Sequence, residues 1–173
     1  MTLLSGNRGQ YALGGAVLGL LVLVCDQASK YWVLEVLGLP LIGSVEVLPF
    51  LNLTMVWNQG VTFGMFSSHR EEAALALGAV ALAVVAGLAV WLWRADKRAV
   101  ALALGAICGG AVGNVIDRVR FGAVADFLHA HAFGFSWYVF NVADAAIVCG
   151  VAVLVLDSLR PAVLTPNPNQ KQP

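Results

Sequence analysis

The sequence predicts an all-α polytopic membrane protein with four transmembrane helices and a small β-sheet on its outer face. Three observations carry this prediction. Of 173 residues, 60% are hydrophobic and 12% charged, whereas a soluble domain holds about 25% charged residues and about half apolar ones. Four segments approach the roughly 20 apolar residues that a helix needs to cross a bilayer. The few ionisable and amide side chains inside those segments collect toward one membrane face. Ten Lys and Arg balance ten Asp and Glu, which leaves no basic surface for nucleic acid.

The first span covers about Tyr11 to Leu34 and contains Asp26 and Lys30. Leu23-Val24-Cys25 faintly resembles a lipoprotein cleavage box, but such boxes place a small residue before the cysteine. The apolar run also continues through Tyr31-Trp32-Val33-Leu34, so the segment reads as a retained span, not a cleaved signal peptide. An outer-face insert over about 35–72 follows. Its alternating stretches Val45–Phe50 and Leu51–Trp57 predict short strands, and Val61–Phe66 is a candidate for lying in the interface. The second span, Ala73–Trp93, carries no charge. The third covers about 99–118 and the fourth about 137–157, with Asp144 inside it. A tail over about 161–173, rich in Pro, Asn and Gln, reads as disordered, and the whole chain as one domain. Cys25, Cys108 and Cys149 lie in apolar runs without CxxC spacing and read as packing residues.

Orientation follows from the basic residues. Arg8, Arg94, Lys97, Arg98, Arg160 and Lys171 fall on one side, and Arg70, Arg118 and Arg120 on the other. The excess puts both termini in the cytoplasm. Spans one and three then run outward and span four inward, so Asp26, Asn114, Asp117, Arg118, Asn141 and Asp144 all approach the outer face.

Ionisable groups in a membrane are expensive and default to a functional reading. Asp26 and Lys30 are i,i+4 with the acid first, the better order for a helical ion pair, and they also suit a bundle-locking role. Asn114, Asp117 and Arg118 share one helix face; Asp117, beside Arg118 and Arg120, reads as structural. Asp126 and Asp144 have no basic residue within four positions. Desolvation favours the protonated form of such carboxyls, and two sharing a site hold one proton between them. That arrangement suits amide hydrolysis without a covalent intermediate; a proton relay and a structural role remain the other readings. His129 and His131, two apart in a polar loop without a cysteine, do not make a metal site, and no cofactor is expected. Gly105, Gly109 and Gly113 form a small-xxx-small stripe for close helix packing.

Five motifs in order complete the reading: Asp26-Gln27-Ala28-Ser29-Lys30, Asn58-Gln59-Gly60-Val61-Thr62-Phe63, Gly109 to Arg118, Val124-Ala125-Asp126-Phe127 and Phe140-Asn141-Val142-Ala143-Asp144. With them the chain resembles the bacterial lipoprotein signal peptidases (signal peptidase II) over all four spans. The resemblance implies an aspartyl endopeptidase of the bacterial plasma membrane. Its substrate would be a diacylglyceryl-modified prolipoprotein, cut just before the lipidated cysteine. By motif position the catalytic carboxyls fall on Asp126 and Asp144. Asn58, Gly60, Asn114, Arg118 and Asn141 match positions that line or support the substrate site, and Asp26 and Lys30 match the first motif. The resemblance also implies an interfacial helix between spans one and two, contact with membrane lipids, and inhibition by globomycin-type cyclic peptides. Thr62 stands where Ala is frequent, Ala125 is smaller than expected before the aspartate, and no proline precedes Phe140-Asn141. A small proton-coupled transporter is the alternative, but it wants carboxylates reaching the cytoplasmic half. A haem or quinone anchor would want histidines within the spans, and His69, His129 and His131 lie outside them.

Overall fold

The computed structural model describes residues 5–60 and 70–159. Helix α1 (Ser5–Tyr31) runs on through a π-helical turn, Trp32–Val36. Gly38, at φ 66°, ends it, since this left-handed conformation costs glycine nothing. A single turn, α2 (Leu39–Ile42), leads into β1 (Ser44–Leu48) and β2 (Leu51–Asn58), the two strands expected from the alternation. Helices α3 (Arg70–Arg94) and α4 (Arg98–Phe121) are joined by a tight turn. Gly122 stops α4 in the left-handed region, its N–H donating to the Arg118 carbonyl at 3.0 Å.

After α4 the chain forms β3 (Val124–Ala132) and β4 (Phe135–Ser136). Their two-residue turn has both Phe133 and Gly134 at positive φ, as a type I′ hairpin turn requires. The sheet is antiparallel in the order β1-β2-β3-β4. Helix α5 (Val142–Ser158) closes the described fold. Here the expected fourth span is corrected: it does not begin at Trp137. Trp137 donates its N–H to the Ala130 carbonyl at 2.8 Å, and Phe140 bridges Leu128. The segment is extended because β3 supplies partners for its backbone, and the helix starts only after Asn141 caps it. Val61–Phe66, the interfacial helix expected there, and the tail over 161–173 lie outside the described residues.

Among the described residues, three helices (α1 with its π turn, α3 and α4) are long and apolar enough to cross a membrane. Helix α5 is shorter, at 17 residues. Helix α4 sits between the others, packed on α1, α3 and α5. The glycine stripe explains how. A Cβ on Gly105 would overlap the Gly15 carbonyl oxygen, one on Gly109 that of Gly19, and one on Gly113 the Asp26 carboxyl. Each contact joins a later residue of α4 to a later residue of α1, so the two helices run parallel with their backbones touching. At one end, Ala95, Val100, Ala101 and Leu104 make a core. At the other, Val33, Leu39, Leu53 and Phe127 seat the sheet on the end of α1.

Candidate active site

The site is built on a buried ionic cluster. Lys30 Nζ lies 2.8 Å from Asp26 Oδ2 and 2.7 Å from Asp117 Oδ2, and it donates to Asn114 Oδ1 at 3.1 Å. Asp26 Oδ1 also accepts the Ala143 N–H of α5 at 3.0 Å, and Asp117 Oδ2 the Ala125 N–H of β3 at 3.1 Å. The i,i+4 pair expected from the sequence is therefore formed, but Asp117 makes it a triad. Asp117 pairs with Lys30, not with Arg118 or Arg120. Desolvating charges is costly unless partners surround them; here the partners come from α1, α4, α5 and β3, so the cluster ties those elements to one another. Gln27, which sequence reasoning left without a role, reaches Asp117 Oδ1 at 3.1 Å and the Gly113 carbonyl at 3.3 Å. Its place beside Asp26 in the first motif was the one signal available.

Two asparagines connect this cluster to the two carboxyls. Lysine can only donate, so its bond to Asn114 Oδ1 turns the other end of that amide outward. Asn114 Nδ2 thus donates to Asp144 Oδ1 at 2.8 Å. Asn141 is oriented by the same logic. As N-cap of α5 its Oδ1 accepts the Asp144 N–H at 2.9 Å, with Asp144 Oδ2 facing the Asn141 N–H at 3.4 Å in a capping box. Its Nδ2 is left to donate, to Asp126 Oδ1 at 2.7 Å and Asn114 Oδ1 at 3.1 Å. Asn58, at the end of β2, donates to Asp126 Oδ2 at 3.0 Å. Both carboxyls therefore face fixed amide donors.

Asp126 is 1% exposed. Burial and the nearby Asp144 charge push its pKa up to about 6, against the lowering pull of Asn58, Asn141 and Lys30. Asp144 is half-buried. Beside Asp126 opens a cleft of 720 Å³ whose lining includes Trp57, Asn58, Gly60 and Tyr138. Gly60 turns the chain at φ 75°, and its N–H donates to Asn58 Oδ1 at 2.9 Å. Any Cβ at Gly60 would press on Leu77, with Arg118 Nη2 at 3.6 Å. Arg118 donates from Nη1 to the Asn114 carbonyl at 3.3 Å, and its buried Nε has no hydrogen-bond partner among the described residues.

All nine residues singled out in the sequence lie in this region, seven of them in one hydrogen-bonded network; Gly60 joins through Asn58, and Arg118 through the Asn114 backbone. The sequence did not place Asp126 on a strand, nor Tyr138 in the cleft wall. His129 and His131 instead reach across the sheet to Ser136 at 2.6 Å and Asn52 at 3.2 Å.

The family model described as signal peptidase (SPase) II matches residues 18–160. A lipoprotein signal peptidase of Methylorubrum extorquens (strain PA1) is 50% identical over 88% of this chain and 90% of its own length. One from Beijerinckia indica is 46% identical over 83% and 86%. A solved structure of a bacterial membrane enzyme superposes with a TM-score of 0.73 at 28% identity, covering 86% of this chain and 94% of that one. With its matched segment running from within α1 to beyond α5, past both carboxyls, this chain belongs to the signal peptidase II family.

Proposed function

We propose that this chain is a membrane-embedded aspartic endopeptidase that removes the signal peptide from diacylglyceryl-modified prolipoproteins, cutting just before the lipidated cysteine. The observation that carries the reading is the pair Asp126 and Asp144. Asn114 donates to Asp144 and Asn141 to Asp126, at one end of a bundle of apolar helices, and Asp126 lines an open cleft. In this reading α5 is the fourth span, both termini are cytoplasmic, and the cleft lies at the outer face of the bacterial plasma membrane. A lipid-anchored cysteine would hold its scissile bond at headgroup depth, level with the carboxyls and within reach of water.

The pair shares one proton in its working state. The ionised carboxyl takes a proton from water as the water oxygen attacks the peptide carbonyl. The protonated carboxyl gives its proton to the carbonyl oxygen, and collapse of the tetrahedral intermediate expels the amine with a proton returned from the pair. Asp26 and Lys30 support the framework. Asn114 and Asn141 orient the carboxyls, while Asn58, Gly60 and Arg118 border the space for the substrate backbone or lipid ester. Globomycin-type cyclic peptides would occupy the same cleft. The transporter reading gains nothing here: at the opposite helix ends, Asp157 is paired to Lys97 at 2.8 Å.

The test is a gel shift. Purified protein in detergent should cleave a diacylglyceryl-modified prolipoprotein and leave the same precursor without lipid intact. Equal cleavage of both would refute the lipid requirement, and cleavage of neither the peptidase reading.

Activity should also titrate. The one-proton form persists while Asp126 holds its proton, below a pKa of about 6, so kcat/KM falls as pH rises through that value. Asn58 stabilises the ionised form and lowers this pKa. In Asn58→Ala the alkaline limb should therefore move to higher pH. A pH–rate profile whose limb moves down, or stays in place, contradicts the assignment.

A further inference from the structure

We infer that a groove between α1 and α4, at the end remote from the carboxyls, binds one anionic phospholipid, with an acyl chain in the groove and the phosphate at Arg98. The groove encloses 510 Å³; Leu13, Val17 and Leu102 are among its walls, and Gln10, Tyr11 and Arg98 stand at its terminal end. Two adjacent glycines create it. A Cβ on Gly15 would overlap the Ala101 carbonyl oxygen, so Gly15 sets how closely the helices approach. A Cβ on Gly14 would meet only Leu102 Cδ2, at 4.0 Å, so the missing side chain there leaves a slot facing outward from the helix pair.

Charge selects the occupant. Lys97 is neutralised by Asp157, but the neighbouring Arg98 is exposed and has no ion-pair partner among the described residues. A cation and two hydrogen-bonding side chains at the end of an otherwise apolar slot match a lipid in order: charged headgroup first, hydrocarbon after. A free phosphate would leave the slot unfilled. A signal-peptide helix would bring its basic n-region to the cationic end. A second copy of the chain would bring the same Arg98. Tied to Arg98 on α4 and lying along α1, the lipid would brace the helix pair that carries Asp26, Lys30, Asn114 and Asp117.

The inference rests on α1 and α4 spanning the membrane, and it can fail without the peptidase reading failing. Arg98 and Asn114 are sixteen residues apart on α4, about 24 Å, so cleavage measured on the same samples reports separately. The full chain is placed in nanodiscs of equimolar phosphatidylglycerol and phosphatidylcholine, released, and weighed by native mass spectrometry. Wild type should retain phosphatidylglycerol over phosphatidylcholine by about fivefold, as expected for one basic residue at a membrane surface. Arg98→Gln should lose the preference. Gly14→Leu, which fills the slot without touching backbone, should lose retention of both lipids. Arg120→Gln, an equal charge change at the other end of α4, should behave as wild type. An unchanged preference in Arg98→Gln, unchanged retention in Gly14→Leu, or a retained peptide or second copy in place of lipid would overturn the proposal.

Discussion

Asp126→Asn and Asp144→Asn proteins should remain folded and lose cleavage of the lipidated precursor by about 10²- to 10⁴-fold, the worth of one positioned acid or base. Because the two carboxyls share one proton, the double variant should be scarcely worse than either single one. Groups that act as a unit are non-additive in this way. Folding should survive because each substitution keeps shape and costs little hydrogen bonding. In Asp126→Asn one amide oxygen still accepts from Asn141 or Asn58, and losing the other bond costs about 1 kcal/mol. In Asp144→Asn the capping contact given up is the long one, at 3.4 Å. Thermal unfolding in detergent checks the fold and the gel shift checks the chemistry. Near-normal cleavage by either single variant would rule the shared-proton mechanism out.

The second large effect falls on stability. Lys30→Met leaves the Asp26 and Asp117 carboxyls buried and facing one another with no cation between them. Removing one partner from a buried ionic set typically costs about 3–5 kcal/mol, so the unfolding midpoint should drop sharply. The triple variant Lys30→Met, Asp26→Asn, Asp117→Asn removes the stranded charges and should recover part of that loss. Activity should not return with it. Without the lysine the Asn114 oxygen keeps only the Asn141 donor, so the amide that holds Asp144 is less firmly oriented. A Lys30→Met protein that melts with wild type would show that the cluster does not hold the helices together.

These effects arise at different levels of the fold, and the sequence exposes the levels unequally. The helices were legible because hydrophobicity over twenty residues is a local property that the bilayer converts directly into structure. The i,i+4 pairing of Asp26 with Lys30 was legible for the same reason, as helical geometry alone brings the two within reach. The capping relation of Asn141 to Asp144 was not, because a span expected from Trp137 buries both residues inside a helix, and the cap appears only where the helix begins. The glycine stripe announced a close approach but not its partner, since Gly15 and Gly19 belong to a helix some ninety residues earlier in the chain.

The sequence by itself determined the class of molecule, the helices that frame it and the first two strands, and it offered the two carboxyls, with the asparagines of the matching motifs, as candidates. Only the tertiary structure decided that Asp126 rides on a strand, because β3 takes its register from β2, some seventy residues earlier, and its own Ala- and His-rich sequence signals a strand weakly. Tertiary structure likewise held Trp137–Phe140 extended by giving that backbone partners outside a helix. It also gave Asp117 to Lys30 on a neighbouring helix in preference to the arginines beside it. Local periodicity fixes what each segment is. Which donor faces which acceptor across helices depends on contacts between residues distant in sequence, and those contacts exist only once the chain has folded.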